Sequence, residues 1–235
     1  MKDFYLVVDS ETSGLPKKWD LPYSAPNNWP YILQLAWIIF NKNGEEIKRE
    51  NHYINIKNVK ISKASQNVHH LDYNFLTLNG KDRLEVMTRF ATDLETYHPL
   101  IIGHFVELDF NLICAEFYRE NIKNCINELP LYCTMMASKS YIKNPSLKYL
   151  KLNRFYKTLF NKRPEILHDA IVDAELTSEI FFHLLKKNEI DDDIIEHQQT
   201  LFHIKNKKIN PNFKLIGLVL IVILTILISY LAYGK

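Results

Sequence analysis

The stretch that decides the fold is Val7-Val8-Asp9-Ser10-Glu11-Thr12-Ser13-Gly14-Leu15. The apolar run that leads into it predicts a buried first strand, and this strand ends in two carboxylates, Asp9 and Glu11. Residues two apart on an extended backbone project to the same face, so both carboxylates can converge on one point. Oxygen ligands of this kind suit Mg²⁺ or Mn²⁺. Taken alone, the pair favours a simple turn in which Asp9 caps backbone groups, and the rest of the chain decides otherwise.

The composition excludes several classes of protein. Hydrophobic residues make up 47% of the 235 residues, which is ordinary for a globular domain with a membrane element. The formal net charge is +2, so any surface that binds nucleic acid must be a local basic patch. The three cysteines form no C-x-x-C pair, which argues against a disulfide framework and against a zinc site. They fit a reducing compartment, and no signal-peptide pattern precedes the first predicted strand.

A long uncharged run near the end of the sequence indicates a membrane anchor. Its nineteen residues, Leu215–Tyr233, include no charged side chain. As a helix at about 1.5 Å per residue they would cover roughly 28 Å, close to the hydrocarbon thickness of a bilayer. The alternative, a buried core helix, would normally carry a polar face. Four lysines precede the run and one follows it, so the positive-inside rule predicts that the preceding domain faces the cytoplasm. The predicted organisation is a domain over 1–187, a polar juxtamembrane linker over 188–213 and a single-pass transmembrane helix over 214–234.

Hydrophobic periodicity predicts an α/β domain with strands first and helices later. Three strands in a meander open it, at 4–8, 32–40 and 47–56, with a proline-rich loop between the first two. Further strands are predicted at 100–103 and 131–133, and helices at 62–68, 81–97, from about 109, and from 168 to 186. The adjacent His69 and His70 would point in different directions from a helix, which favours surface histidines over paired ligands.

Two later stretches carry further candidate acids. Asp109 follows the short strand 100–103 at the start of a helix, where it is either a plain N-cap or a third carboxylate delivered to a strand end. The stretch alone leaves that choice open. His168 lies before the last predicted helix and Asp173 lies five residues further on. A histidine before a helix is usually structural, but the nearby carboxylate shifts the balance towards a shared site.

The segment 139–163 contains eight basic residues and no acidic one, with aromatic residues interleaved. A stretch of one charge sign with aromatics suits a nucleic-acid backbone. The alternatives are a solvated helix facing an acidic neighbour and a surface that meets lipid headgroups. We favour nucleic acid.

Three motifs with acidic residues follow one another along the chain: Asp9 to Gly14, then Gly103-His104-Phe105-x-x-x-Asp109, then His168-x-Ala170-x-x-Asp173. This order resembles the three-motif signature of the DEDDh exonucleases, the group similar to the epsilon proofreading subunit of bacterial DNA polymerase III. The resemblance covers about residues 4–186. Similar proteins usually have asparagine where this chain has Phe105, and often phenylalanine where it has Leu108.

The resemblance implies an RNase H-like exonuclease fold with a mixed five-stranded sheet flanked by helices, followed here by the transmembrane helix. It implies two Mg²⁺ or Mn²⁺ ions and release of 5′-mononucleotides from nucleic acid with a free 3′ end, and we favour DNA over RNA as the substrate. By position, the metal ligands are Asp9, Glu11, Asp109 and Asp173, and the general base that completes the catalytic set is His168. Asp169 is predicted to start the helix rather than to bind metal.

The predicted substrate contacts fall into two groups. Thr12 and Leu15 would lie by the terminal nucleotide, together with Phe105 from the second motif. The basic segment supplies Lys148, Lys151 and Arg154. The alternative function, motivated by the altered second motif, is a catalytically idle nucleic-acid-binding module tethered to a membrane.

Overall fold

The computed structural model describes residues 2–57, 59–164 and 168–208, with side chains described as far as Phe202. The predicted transmembrane helix, 214–234, lies outside these residues. Within them, no helix combines the length and the apolar character that crossing a membrane requires.

The core of the domain is a mixed five-stranded sheet in the order β3-β2-β1-β4-β5. The strands are β1 Phe4–Thr12, β2 Ile32–Asn41, β3 Glu46–Tyr53, β4 Leu100–Gly103 and β5 Leu131–Cys133. The first three pair antiparallel, whereas β4 pairs parallel with both β1 and β5. The predicted mixed five-stranded sheet is therefore confirmed. The central strands are almost continuously apolar because helices cover both faces.

The helices surround this sheet and are numbered in chain order. They are α1 Lys63–His69, α2 Tyr73–Asn79, α3 Arg83–Tyr97, α4 Val106–Arg119, α5 Thr134–Ala137, α6 Leu152–Phe160, α7 Ala170–Lys186 and α8 Asp192–Lys208. The sequence pattern did not predict α2, a short helix that buries only Leu76 and leaves Leu78 exposed. A periodic apolar face is therefore missing from its seven residues.

Alternate residues of β1 contact different helix layers. Leu6 and Val8 belong to the core shared with α3 and α4. Tyr5 and Val7 belong to the core shared with α6 and α7. Because side chains alternate along a strand, Asp9 and Glu11 continue the side that faces α7, and Ser10 continues the side that faces α4. The end of β1 is therefore flanked by one helix from each layer.

Helix α8 covers the edge strand β5 and lies within the predicted linker 188–213. The side-chain oxygens of Gln199 and Gln198 accept the backbone N–H groups of Leu131 and Cys133, both at 2.7 Å. Ile195 is also buried against the domain. These contacts satisfy edge groups that would otherwise be open to pairing with another chain. This part of the predicted linker therefore packs as part of the domain.

The proline-rich loop that follows the first motif is fastened to α4. The loop closes through Ser13, whose N–H donates to the Tyr31 carbonyl and whose Oγ accepts the Tyr31 N–H, both at 2.9 Å. Arg119 donates to the carbonyls of Trp29 and Pro30, and its guanidinium lies 4.0 Å from the centre of the Tyr31 ring. Glu116, which is fully buried, accepts the Ile32 N–H at 2.9 Å. The loop therefore enters and leaves at defined positions.

Replacing Glu116 with alanine is expected to lower the free energy of unfolding by about 3–5 kcal/mol, because it leaves Arg83 and Arg119 without their buried partner. Urea denaturation would measure the change. Glu120→Ala is the matched control, since the Glu120 carboxylate is partly exposed and pairs with the Arg83 guanidinium at 3.4 Å. Its loss should cost less than about 1 kcal/mol. Equal losses in the two variants would contradict this interpretation.

Candidate active site

The site forms where β1 ends between α4 and α7. Asp9 and Glu11 lie on β1 opposite Ala36 and Gln34 of β2. Glu11 is buried and Asp9 is half-buried, so both carboxylates are partly removed from water. The first motif therefore presents two acids at one strand end, as its spacing predicts.

The second motif brings Asp109 to the same strand end. Phe105 occupies the N-cap position of α4 with a left-handed backbone, φ 79°, and Asp109 lies in the first turn. The plain N-cap alternative for Asp109 is therefore wrong. The Asp109 carboxylate is 4% exposed and accepts a hydrogen bond of 2.6 Å from Ser10 Oγ. Ser10, on the α4 side of β1, thus joins the first two motifs.

The left-handed backbone of Phe105 explains why similar proteins carry asparagine at this position, and it makes phenylalanine an unusual residue here. Asparagine adopts this conformation far more readily than a bulky aromatic residue does. In this chain the Phe105 ring lies 5.8 Å from that of Trp19, which is held by Trp29 in the proline-rich loop. The aromatic contact links the second motif to the loop beside the site.

The third motif approaches from the start of α7. Asp173 lies in the first turn and is 8% exposed. Its Oδ2 accepts the backbone N–H of His168 at 3.3 Å. His168 is exposed and has a left-handed backbone, φ 64°. One ligand atom from each of Glu11, His168 and Asp173 lies within 4.8 Å of the others. The structure therefore brings the first and third motifs together.

Asp169 starts the helix, as predicted. It is the N-cap of α7 and accepts the Ile171 N–H at 3.2 Å. Its Oδ1 also accepts a 2.9 Å hydrogen bond from the side chain of Gln34, whose own Oε1 accepts the Ala170 N–H. Gln34 is 1% exposed near the start of β2, so this network fixes the start of α7 against the sheet.

Crowding of the carboxylates raises their pKa values. Burial, followed by the charge of Asp109, holds the pKa of Asp9 well above its usual range. Burial and then the charge of Asp173 raise the pKa of Glu11 to about 8. Burial likewise raises the pKa of Asp109 to about 7, against the Ser10 hydrogen bond, and that of Asp173 to about 6. The cluster therefore holds more negative charge than its protein surroundings compensate.

This donor set fits divalent cations. Among the described residues Asp173 Oδ1 is a buried oxygen without a hydrogen-bond partner. An unsatisfied buried carboxylate oxygen is costly unless an ion or a proton compensates it. Carboxylate oxygens are also the ligands that Mg²⁺ and Mn²⁺ prefer. Asp9, Glu11, Asp109 and Asp173 are the residues that would hold such ions.

His168 has the protonation state that a base requires. Its partial desolvation lowers the pKa first, and the positive charges of Lys151 and His70 lower it further. The imidazole is therefore neutral at pH 7 and able to accept a proton.

The predicted contacts of the first motif differ in burial. Thr12 is buried, and its hydroxyl donates to the Gly14 carbonyl at 2.7 Å, which stabilises the turn. Leu15 is 70% exposed at the tip of that turn, so it is free to contact a ligand. Phe105 is half-buried against Trp19, which belongs to the loop that follows the first motif.

The three predicted basic contacts differ in their position relative to α6. Lys151 is close enough to His168 for its charge to lower the pKa of that imidazole. Arg154 is exposed one helical turn further along α6. Lys148 lies outside the helix with its ammonium 5.6 Å from the centre of the Tyr149 ring. All three are exposed, and we refer to them as the basic strip.

Two residues near the site were not identified from the sequence. Gln34 interrupts the apolar run of β2, and a buried polar residue in a central strand is a usable signal. His69 was expected at the surface, but it is 7% exposed and its Nε2 lies 3.1 Å from the Thr12 carbonyl oxygen. The expectation was wrong because α1 ends at a left-handed His70, which leaves the preceding ring facing the first motif.

Comparison with known structures shows the fold. E. coli Exonuclease I in complex with a dT13 oligonucleotide superposes with a TM-score of 0.65 at 15% identity, covering 78% of this chain and 41% of Exonuclease I. A 3′-exonuclease that recognises the 3′ end of a histone mRNA stem-loop gives 0.60 at 11% identity, covering 79% of this chain and 64% of its own. The chain thus spans about two fifths of Exonuclease I. The superpositions show a shared RNase H-like exonuclease fold, and at such low identities they show the fold alone.

A search of curated protein sequences found no significant match. A family model, however, aligns with most of the domain. It is described as Exonuclease, of the RNase T type, and it matches residues 6–181, which include all three acidic motifs. The chain therefore belongs to the exonuclease family.

Proposed function

We propose that the protein is a metal-dependent 3′→5′ exonuclease that hydrolyses the terminal phosphodiester bond of a nucleic acid and releases 5′-mononucleotides. The observation that carries this proposal is the meeting of three acidic motifs at the end of β1, beside a neutral and exposed His168. Acids crowded to this degree are stable as carboxylates only with cations beside them.

We assign the cofactor as two Mg²⁺ or Mn²⁺ ions held by Asp9, Glu11, Asp109 and Asp173. When bound, such ions supply Lewis-acid stabilisation of the charge that develops on the phosphate and on the leaving 3′ oxygen. Ser10 orients Asp109 through its 2.6 Å hydrogen bond, and the backbone N–H of His168 orients Asp173. His168 would take the proton of the attacking water through its neutral ring.

The basic strip gives the substrate its direction of approach. Phosphates that follow the terminal nucleotide would meet Lys151 first and then Arg154 and Lys148, while the Tyr149 ring offers a face for stacking. Leu15 and Phe105 would contact the terminal nucleotide. An oligonucleotide of single-stranded DNA is the substrate that we favour.

A cleavage assay tests this function. The full chain in mild detergent is mixed with matched DNA and RNA oligonucleotides labelled at the 5′ end, with Mg²⁺, with Mn²⁺ or with EDTA. We expect a metal-dependent ladder that shortens from the 3′ end, fastest on DNA. Shortening from the 5′ end, or a ladder that persists in EDTA, would contradict the proposal.

Lys151→Ala is expected to move the acid limb of the pH–rate profile to higher pH. The positive charge of Lys151 disfavours the protonated form of His168, so its removal raises the pKa of that imidazole and protonates the base at a higher pH. The KM for an oligonucleotide should rise by a few fold and depend less on salt. Lys157→Ala, on the same helix, is the control and should leave the acid limb unchanged.

A second candidate function is a catalytically idle nucleic-acid-binding module. The presence of Phe105 at a left-handed position favours it, because this is where the second motif departs from similar proteins. Retained binding of a single strand with no cleavage in Mn²⁺ would establish it. Recovery of cleavage in Phe105→Asn would then identify the residue responsible.

We further propose that the segment 214–234 anchors the nuclease in a membrane with its domain in the cytoplasm. The uncharged run and the lysines that precede it support this assignment. Carbonate extraction of membranes should leave the full chain in the pellet, whereas the double variant Leu220→Arg/Val222→Arg should be released. Co-sedimentation of that variant with anionic liposomes would test whether the basic strip also meets lipid.

A further inference from the structure

Helix α1 contacts the turn of the first motif at both of its ends. Ser62, the N-cap of α1, donates its backbone N–H to the Ser13 carbonyl at 2.8 Å. His69, the last residue of α1, approaches the neighbouring Thr12 carbonyl with its Nε2 at 3.1 Å. Two successive carbonyl groups of the turn are therefore held by one seven-residue helix.

The hydrogen bonds of His69 determine its tautomer. The backbone N–H of Leu71 donates to His69 Nδ1 at 3.0 Å, so Nδ1 carries no proton. The proton of the neutral ring is then on Nε2, which donates it to the Thr12 carbonyl. Because the ring is 7% exposed, water does not replace either partner.

The turn that His69 holds carries an exposed apolar side chain. Leu15 is 70% exposed, so packing contributes little to its position and the backbone of residues 12–14 must fix it. Within that turn, the Thr12 hydroxyl donates a hydrogen bond to the Gly14 carbonyl, and the Ser13 N–H donates to the Tyr31 carbonyl. The remaining backbone group that faces α1 at Thr12 is the carbonyl held by His69.

From this arrangement we propose that His69 is a positioning residue for the substrate: its Nε2–H holds the Thr12 carbonyl and thereby sets the turn that presents Leu15 to the terminal nucleotide. The inference rests on the proposed function, since it assigns a role to the same site. It differs from the role of His168, because His69 touches neither the reacting atoms nor the substrate.

Two conservative variants separate positioning from simple stability. His69→Gln places an amide N–H where Nε2 was and loses the acceptor for Leu71 N–H. His69→Asn keeps an acceptor near the Nδ1 position and is too short to reach Thr12. Each variant therefore loses one hydrogen bond, so both should lose similar thermal stability, measured as unfolding midpoints of the full chain.

Steady-state kinetics on a single-stranded dT oligonucleotide in Mn²⁺ then test the role. His69→Asn should raise KM about tenfold with little change in kcat, whereas His69→Gln should stay within about threefold of the wild type. Equal KM values in the two variants, whether raised or unchanged, would overturn the inference while the wild type still cleaves. If the wild type itself does not cleave, the proposed function fails and the inference fails with it.

Discussion

Asp9→Asn is expected to abolish nucleotide release, with kcat lower by at least about a thousandfold. The charges of Asp109, Asp173 and Glu11 all raise the pKa of Asp9, so its carboxylate lies among the proposed metal ligands. An amide there removes a negative ligand and keeps the shape of the side chain. Activity would be measured as release of mononucleotides from a labelled oligonucleotide by the full chain.

The same substitution should leave the fold intact. Burial and neighbouring carboxylates disfavour a charge at Asp9, so an uncharged amide removes repulsion and the metal-free variant should unfold at the same temperature or higher. Asp20→Asn, at an exposed position of the loop, is the control and should retain wild-type activity. Inactivity accompanied by a lowered unfolding temperature would indicate misfolding instead, and wild-type activity in Asp9→Asn would exclude the proposed mechanism.

The second large effect is expected on removal of metal: in EDTA the domain should lose stability as the pH rises from about 5 to 8. The folded-state pKa values of Glu11, Asp109 and Asp173 are about 8, 7 and 6, all above those of the unfolded chain. A raised carboxylate pKa means that the folded state binds more protons, so stability falls with increasing pH across this window. At about 1.4 kcal/mol per pH unit for each proton, the combined loss is several kcal/mol.

Divalent cations should reverse this trend. Because Mg²⁺ or Mn²⁺ binds the deprotonated carboxylates of the folded state, the increase in unfolding temperature on adding metal should be larger at pH 8 than at pH 5.5. Unfolding followed by circular dichroism at the two pH values, with and without Mn²⁺, measures both effects. In Glu11→Gln the pH dependence in EDTA should flatten. An increase of stability with pH in the metal-free wild type would contradict this prediction.

Much of the fold was predictable because its signals are local. The apolar runs of β1 and β2, the short strands β4 and β5, and the periodic helices α3 and α7 were each predicted near their observed positions. Helix α2 was not, since its seven residues bury one side chain and show no periodic face. The contribution of α8 to the sheet edge was also not predicted, because two glutamine side chains bonded to a strand have no local pattern.

The candidate site shows the same division. Asp9, Glu11, Asp109, His168 and Asp173 could be named because their three motifs, in this order, resemble a known family. Spacing and residue type alone left the roles of Asp109 and His168 open. Their shared position could not be derived from any one stretch, because it depends on α4 and α7 reaching the end of β1 from opposite layers. The N-cap alternative for Asp109 was excluded only by the structure, in which α4 begins at Val106 and Phe105 is its N-cap.

By itself, then, the sequence determined the α/β class, the order of the strands along the chain and the five residues proposed for catalysis. The tertiary structure alone decided which polar groups support the site. Ser10 bonds to Asp109, Gln34 bonds to Asp169, and His69 bonds to the Thr12 carbonyl. The physical reason is that hydrophobic periodicity is a property of neighbouring residues. A hydrogen bond between residues 57 or 135 positions apart exists only after the core has packed and excluded water from both partners.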